Sequence, residues 1–157
     1  MNADEVYVPG AITSVAPVDG SVTVKIDDAN EASVHTAEVF QANPAGLVCP
    51  DNTMLIHLSE PTLLANVRAR YAAKDIYTLT GSILLAMNPF EPLPIYSEAL
   101  MEGYKGKALG RAPPHVYGIA EVAYQMLCKS GRSQSVVVSG ESGAGKARAA
   151  RRPPPAR

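Results

Sequence analysis

Along residues 7–40 apolar and polar positions alternate in short runs. Val22, Val24 and Ile26 alternate with Thr23 and Lys25, which predicts a strand with one face inward and one in water. Just before it, Asp19-Gly20 is the residue pair that best fits a tight hairpin turn. "DDAN" (27–30) makes a second turn, and "SVHTAEVF" (33–40) supplies further strand material. Strands this short and this close predict a small antiparallel barrel. "QANPAGLVCPDN" (41–52), with its prolines, Gly and Asn, reads as a linker. The period then changes. In "SEPTLLANVRARYAA", Leu63, Leu64, Val67 and Tyr71 recur at helical spacing, and Pro61 suits a first turn. Two apolar runs, Ile76–Leu79 and Ser82–Met87, flank a Gly-containing turn and predict a strand pair. The three prolines of "NPFEPLPIY" (88–96) exclude regular structure. A short helix is expected near Glu98–Tyr104. The clearest helix follows Pro114, with Val116, Ile119, Ala120, Ala123 and Leu127 as its apolar stripe and Gly131 placed to end it. Val136–Val138, three valines bounded by serines, read as a strand buried on both faces.

That strand leads into "GESGAGK": Gly140, Glu141, Ser142, Gly143, Ala144, Gly145 and Lys146. A strand, a glycine loop and then Lys is the context that a phosphate-binding loop needs. Glycines take φ values closed to other residues, so successive N–H groups turn inward and offer donors to phosphate oxygens. Lys146 would reach the outer phosphates as a point charge. The alternative is an ordinary glycine-rich turn after a strand. Ser or Thr normally follows the lysine and puts its hydroxyl on Mg²⁺; here the residue is Ala147, which has no oxygen to offer. No metal ligand is therefore expected at that position.

Composition narrows the class without naming a function. Hydrophobic content of 46% and charged content of 18% place the 157 residues among globular proteins. The net charge of −1 gives no sign of a nucleic-acid partner. It is unevenly spread: residues 147–157 hold four arginines and no acid, so the remainder has 10 basic against 15 acidic residues. Two cysteines far apart and three scattered histidines make no metal-site spacing. No apolar run approaches the roughly 20 residues that span a bilayer, and the acidic N-terminus is no secretory signal. A cytoplasmic chain is the default.

Four stretches carry a resemblance to a family. "YVPGAITSV…VTVKI", "LSEPTLLANVRARYAAKDIYTLTGSILLAMNPFEPLPIY", "PPHVYGIAEVAYQML" and "SQSVVVSGESGAGK" stand in the order found at the start of a myosin heavy-chain motor domain. The chain resembles that family from about Tyr7 to Lys146. The resemblance implies a mixed α+β and α/β fold: an SH3-like β-barrel over 7–45, then the N-terminal portion of a P-loop NTPase core over 50–146. It implies that the 76–87 strand pair and the Val136–Val138 strand belong to the central transducer sheet. It also implies an adenine-binding loop in which Asn88, Pro89 and Tyr96 line the base, with ATP as the ligand and Mg²⁺ as its partner in the family. Read without the family, the same stretch is a proline-rich turn. Glu91 and Pro92 occupy the positions where the family often has a basic pair.

Actin filaments are the partner the family implies, together with a cytoskeletal location. The actin interface and the light-chain sites lie downstream in the family and are not supported by this segment. The family's two switch loops also follow the phosphate loop, and this chain carries neither. No catalytic residue is therefore assigned, and hydrolysis and force generation are not expected of the chain as it stands. Residues 147–157 contain only Ala, Arg and Pro; they read as a non-homologous tail from read-through or a wrong exon boundary, or else as a natural basic end that binds something acidic. Two further readings stay open: a pseudo-motor that holds ATP or ADP weakly without turnover, and a docking module in which only the β-barrel folds.

Overall fold

The computed structural model describes residues 7–15 and 20–146. Asp19, half of the predicted hairpin pair, lies outside the described residues, as do Ala147 and the rest of the 147–157 tail. The described chain is mixed α and β, with two small antiparallel sheets.

The first sheet is a meander of β1 (Ala11–Val15), β2 (Ser21–Lys25) and β3 (Glu31–His35) in that order. The alternation seen in β2 is real but shallow: Val22 is buried and its neighbours are half-buried, while β1 is exposed along its whole length. The β2–β3 turn forms where "DDAN" places it. The Asp27 carboxylate accepts the backbone N–H groups of Ala29 and Asn30, each at 2.9 Å, and also the Asn30 amide. An Asx side chain closing its own turn in this way explains why these residues interrupt the strand. Among the described residues the three strands form an open sheet in which β1 and β3 are both edges.

The second sheet is the hairpin of β4 (Tyr77–Thr80) and β5 (Ile83–Ala86), paired in register from Tyr77–Ala86 to Thr80–Ile83 across Gly81-Ser82. Against it lies α1 (Glu60–Ala72), whose second residue is Pro61 and whose Ser59 N–H is capped by Thr62 Oγ1 at 2.9 Å. The helix is where the pattern predicts, but its inward face differs. Thr62, Asn66 and Arg70 are buried together with Val67, whereas Leu64 is 48% exposed. The 41–52 segment supplies the reason, because its end is not a solvated linker. Asn66 donates to the Cys49 carbonyl (2.9 Å) and to Asn52 Oδ1 (2.7 Å), and accepts the Cys49 N–H at 2.8 Å. Asn52 in turn donates to Thr80 Oγ1, and Pro50 O accepts the Leu79 N–H, both at 2.9 Å. An irregular segment packed inside must find partners for its own backbone, and polar side chains of α1 provide them. Arg70 completes this seam, donating from Nε to Thr78 Oγ1 and from Nη2 to Tyr77 O.

Two further helices follow, α2 (Glu98–Glu102) and α3 (Val116–Ser130). Gly131 ends α3 in the left-handed conformation (φ +66°) and returns its N–H to Leu127 O, a geometry costly for residues with a Cβ. The α3 stripe is covered only near its start: Tyr117 is buried, whereas Leu127 is 43% exposed. Met101, Tyr104 and Tyr117 form a small core beneath α2 and the start of α3.

The Val136–Val138 expectation fails. The run forms no strand, and Val137 is 88% exposed. A valine run becomes a buried strand only where other strands bond to both of its edges. Among the described residues none lies beside it.

Candidate functional site

The 140–146 loop has the backbone that its glycines allow. Gly140, Gly143 and Gly145 stand at φ +149°, +83° and +86°, values that side chains with a Cβ rarely adopt. The Ala144 N–H turns back to the Glu141 carbonyl at 3.2 Å. Lys146 curls over the loop, its ammonium donating to the Gly140 carbonyl and, at 2.7 Å, to that of Glu141. Glu141, Ser142, Gly143 and Ala144 are exposed, and Gly145 and Lys146 half-buried. Such a loop suits an anion: its cation is on hand, held by neutral carbonyls that a phosphate would outcompete.

Of the predicted base-binding residues, Asn88 reaches this loop. Its Nδ2 donates to the Gly143 carbonyl at 2.8 Å, and its Oδ1 accepts the Phe90 N–H at 3.0 Å. A Cβ placed on Gly145 would lie 3.7 Å from Asn88 Cγ, in ordinary contact. The two loops, 55 residues apart in sequence, thus meet through one amide. Pro89 follows, half-buried, and Phe90 stands 83% exposed with φ +53°. From the other side the Tyr71 hydroxyl donates to the Asn88 carbonyl at 3.2 Å, and Lys74 pairs with Glu91. Glu91 holds the Lys74 ammonium above its ordinary pKa, first through their hydrogen bond and then through its charge.

Tyr96 belongs to a different cluster. Its hydroxyl shares a hydrogen bond with that of Tyr77 at 2.9 Å, and its carbonyl accepts the Tyr117 hydroxyl at 3.1 Å. Tyr77, Tyr96, Tyr104 and Tyr117 surround the His115 ring at centroid distances of 4.5–5.5 Å. His115 caps α3, its Nδ1 accepting the Tyr117 N–H at 3.1 Å, while its buried Nε2 makes no hydrogen bond of normal geometry. Burial pushes this imidazole down to about 4, outweighing an opposing pull from the Ile95 carbonyl, so the ring is neutral at pH 7.

The pattern of apolar positions reads Tyr71 only as part of the α1 stripe and does not find Lys74 or His115 as structural anchors. One available signal is positional: His115 follows two prolines and directly precedes an apolar helical stripe, which is where an N-cap belongs. Among the described residues no group of three or more His, Cys, Asp or Glu could hold a metal ion, and no helix is long and apolar enough to cross a membrane.

Comparison with known proteins gives one consistent result. Residues 49–152 match the family model described as "Myosin head (motor domain)". The chain is 45% identical over 126 residues to the Myosin-J heavy chain of Dictyostelium discoideum, an alignment covering 80% of this chain and 6% of that protein. It is 46% identical over 153 aligned residues to Myosin-17 of Arabidopsis thaliana, covering 88% of this chain and 10% of the relative. With Myosin-9 of the same plant the identity is 52% over 104 residues, 66% of this chain and 7% of the relative. The chain thus spans a tenth or less of the length of these curated relatives.

Proposed function

Because the chain belongs to the myosin head (motor domain) family, we propose that it carries the nucleotide-phosphate site of an ATP-driven, actin-based motor. The 140–146 amides cradle the phosphates, and Lys146 turns from the Gly140 and Glu141 carbonyls toward the outer ones. Asn88, Pro89 and Tyr96 line the adenine, with Asn88 keeping one Nδ2 hydrogen for it. The observation that supports this most is the Asn88–Gly143 hydrogen bond, which draws the base-side loop onto the phosphate-side loop. Residues 7–45 are read as the SH3-like module that precedes the motor and residues 50–146 as P-loop core.

Bound Mg²⁺ neutralises charge on the terminal phosphates. Ala147 offers it no oxygen, so this chain is expected to hold nucleotide weakly, with little dependence on Mg²⁺ and without turnover. Actin and the cytoskeleton are the partner and setting of the whole motor; no residue of this chain is assigned to that interface.

Titration of the full chain with ATP, with and without Mg²⁺, tests the proposal. Weak binding in both conditions is expected, and Lys146→Ala should weaken it at least about tenfold, since a charge-assisted contact is lost. Absence of binding at millimolar ATP would overturn the phosphate-loop reading. Strong tightening by Mg²⁺, or steady hydrolysis, would overturn the role given to Ala147.

A further inference from the structure

The C-terminal end of α1 and the residues just past it touch the base-side loop twice, through Tyr71 on the Asn88 carbonyl and Lys74 on the Glu91 carboxylate. That turn is held firmly from behind. Lys74 follows the helix at φ +66°, its N–H bonded to Tyr71 O and that of Asp75 to Arg70 O, both at 2.9 Å. These two bonds form the closing motif that usually takes a glycine at this position. Arg70 itself is locked into the buried seam with Tyr77 and Thr78. Ahead of the turn, Asn88 binds both the Phe90 N–H and the Gly143 carbonyl. A continuous set of hydrogen bonds therefore runs from the packed body to the phosphate loop.

We propose that Tyr71 and Lys74 are positioning residues for the nucleotide loops: they fix Asn88 and Glu91 from outside and, through Asn88, set where Gly143 stands. Lys74 and Glu91 are both substantially exposed (65% and 44%), so their pair acts by orientation and is worth little as stabilisation. Tyr71 provides the more buried restraint. This inference rests on the reading of 140–146 as a phosphate loop, but its first test needs no nucleotide.

In the full chain, amide hydrogen exchange of Phe90 reports the Asn88 side chain directly, and α3 amides report whether the fold is intact. Tyr71→Phe should speed Phe90 exchange about threefold to tenfold, the equivalent of one ordinary hydrogen bond, with α3 protection unchanged. Lys74→Glu should speed it about twofold to fivefold, and the swapped pair Lys74→Glu with Glu91→Lys should restore it. Unchanged Phe90 exchange in both single variants, or no recovery in the swap, would overturn the proposal. Should Tyr71→Phe lower α3 protection as well, the swap decides, because it preserves composition and alters only polarity. With ATP, Tyr71→Phe should weaken binding about threefold to tenfold. If Lys146→Ala weakens binding and Tyr71→Phe does not, the positioning role falls while the phosphate-loop reading stands. If the unaltered chain binds no ATP, that reading falls, and the exchange rates still decide whether Tyr71 and Lys74 fix Asn88.

Discussion

The β4–β5 hairpin and the Val136–Val138 run have similar letters and opposite fates. Both are short stretches rich in strand-forming residues. Leu79 is 2% exposed and bonded into a sheet, while Val137 is 88% exposed and bonded to none. The hairpin's partner strand arrives after two residues, Gly81 and Ser82, so pairing costs almost no loop entropy. Its back is then covered by α1 and by the 49–55 segment. The valine run needs strands from elsewhere in sequence, and the described residues supply none. Strand-forming residues are thus sufficient only when their partner is local.

The sharpest way to break this comparison is to damage the seam that covers the hairpin. Asn66→Ala leaves the Cys49 N–H, the Cys49 carbonyl and the Asn52 amide oxygen short of a partner. We expect a loss of about 3–5 kcal/mol in urea unfolding; a loss below 1 kcal/mol would mean the seam is not what holds the body together. Next, Leu79→Ala should cost about 3 kcal/mol and Val137→Ala less than about 0.5 kcal/mol. Equal costs for the two would erase the distinction.

A third effect is carried by pH. His115 is held neutral with a folded pKa of about 4, against about 6.5 in an unfolded chain. Between those values the unfolded chain binds more protons than the folded one, so stability rises with pH there. The contribution is fully present above about pH 6.5 and disappears as pH falls toward 4, a change of about 3 kcal/mol. Thermal melts of His115→Asn, which keeps an N-cap acceptor, should show a much flatter dependence across pH 4–6.5. The smallest effect is at Lys74. Replacing it by Gly relieves the left-handed backbone and removes an exposed ion pair, so the two changes oppose each other and the melting temperature should scarcely move.

Much of the architecture was legible residue by residue. The Asp27 turn, the strand pair around Gly81, the start of α1 near Pro61 and the Gly131 stop all follow from local chemistry that operates within a few residues. The left-handed backbone of the 140–146 loop was legible for the same reason, since its glycines dictate it. The inward face of α1 was not. Apolar periodicity favoured Leu64, whereas Thr62, Asn66 and Arg70 turned inward because an irregular neighbour had backbone groups to satisfy. The bonds of Tyr96 to Tyr77 and Tyr117 were not legible either, because only long-range packing assembles that grouping.

By itself, then, the order of residues determined the elements with local partners, the conformation of the 140–146 loop and, through whole motifs in sequence, the myosin head family. Tertiary structure alone decided that Asn88 would meet Gly143 across 55 residues and that a polar seam would replace an apolar stripe. It also decided that His115 would sit neutral among four tyrosines. The physical reason is common to all three. A buried polar group takes whichever partner the folded chain brings within about 3 Å, and sequence spacing alone does not say which one that will be.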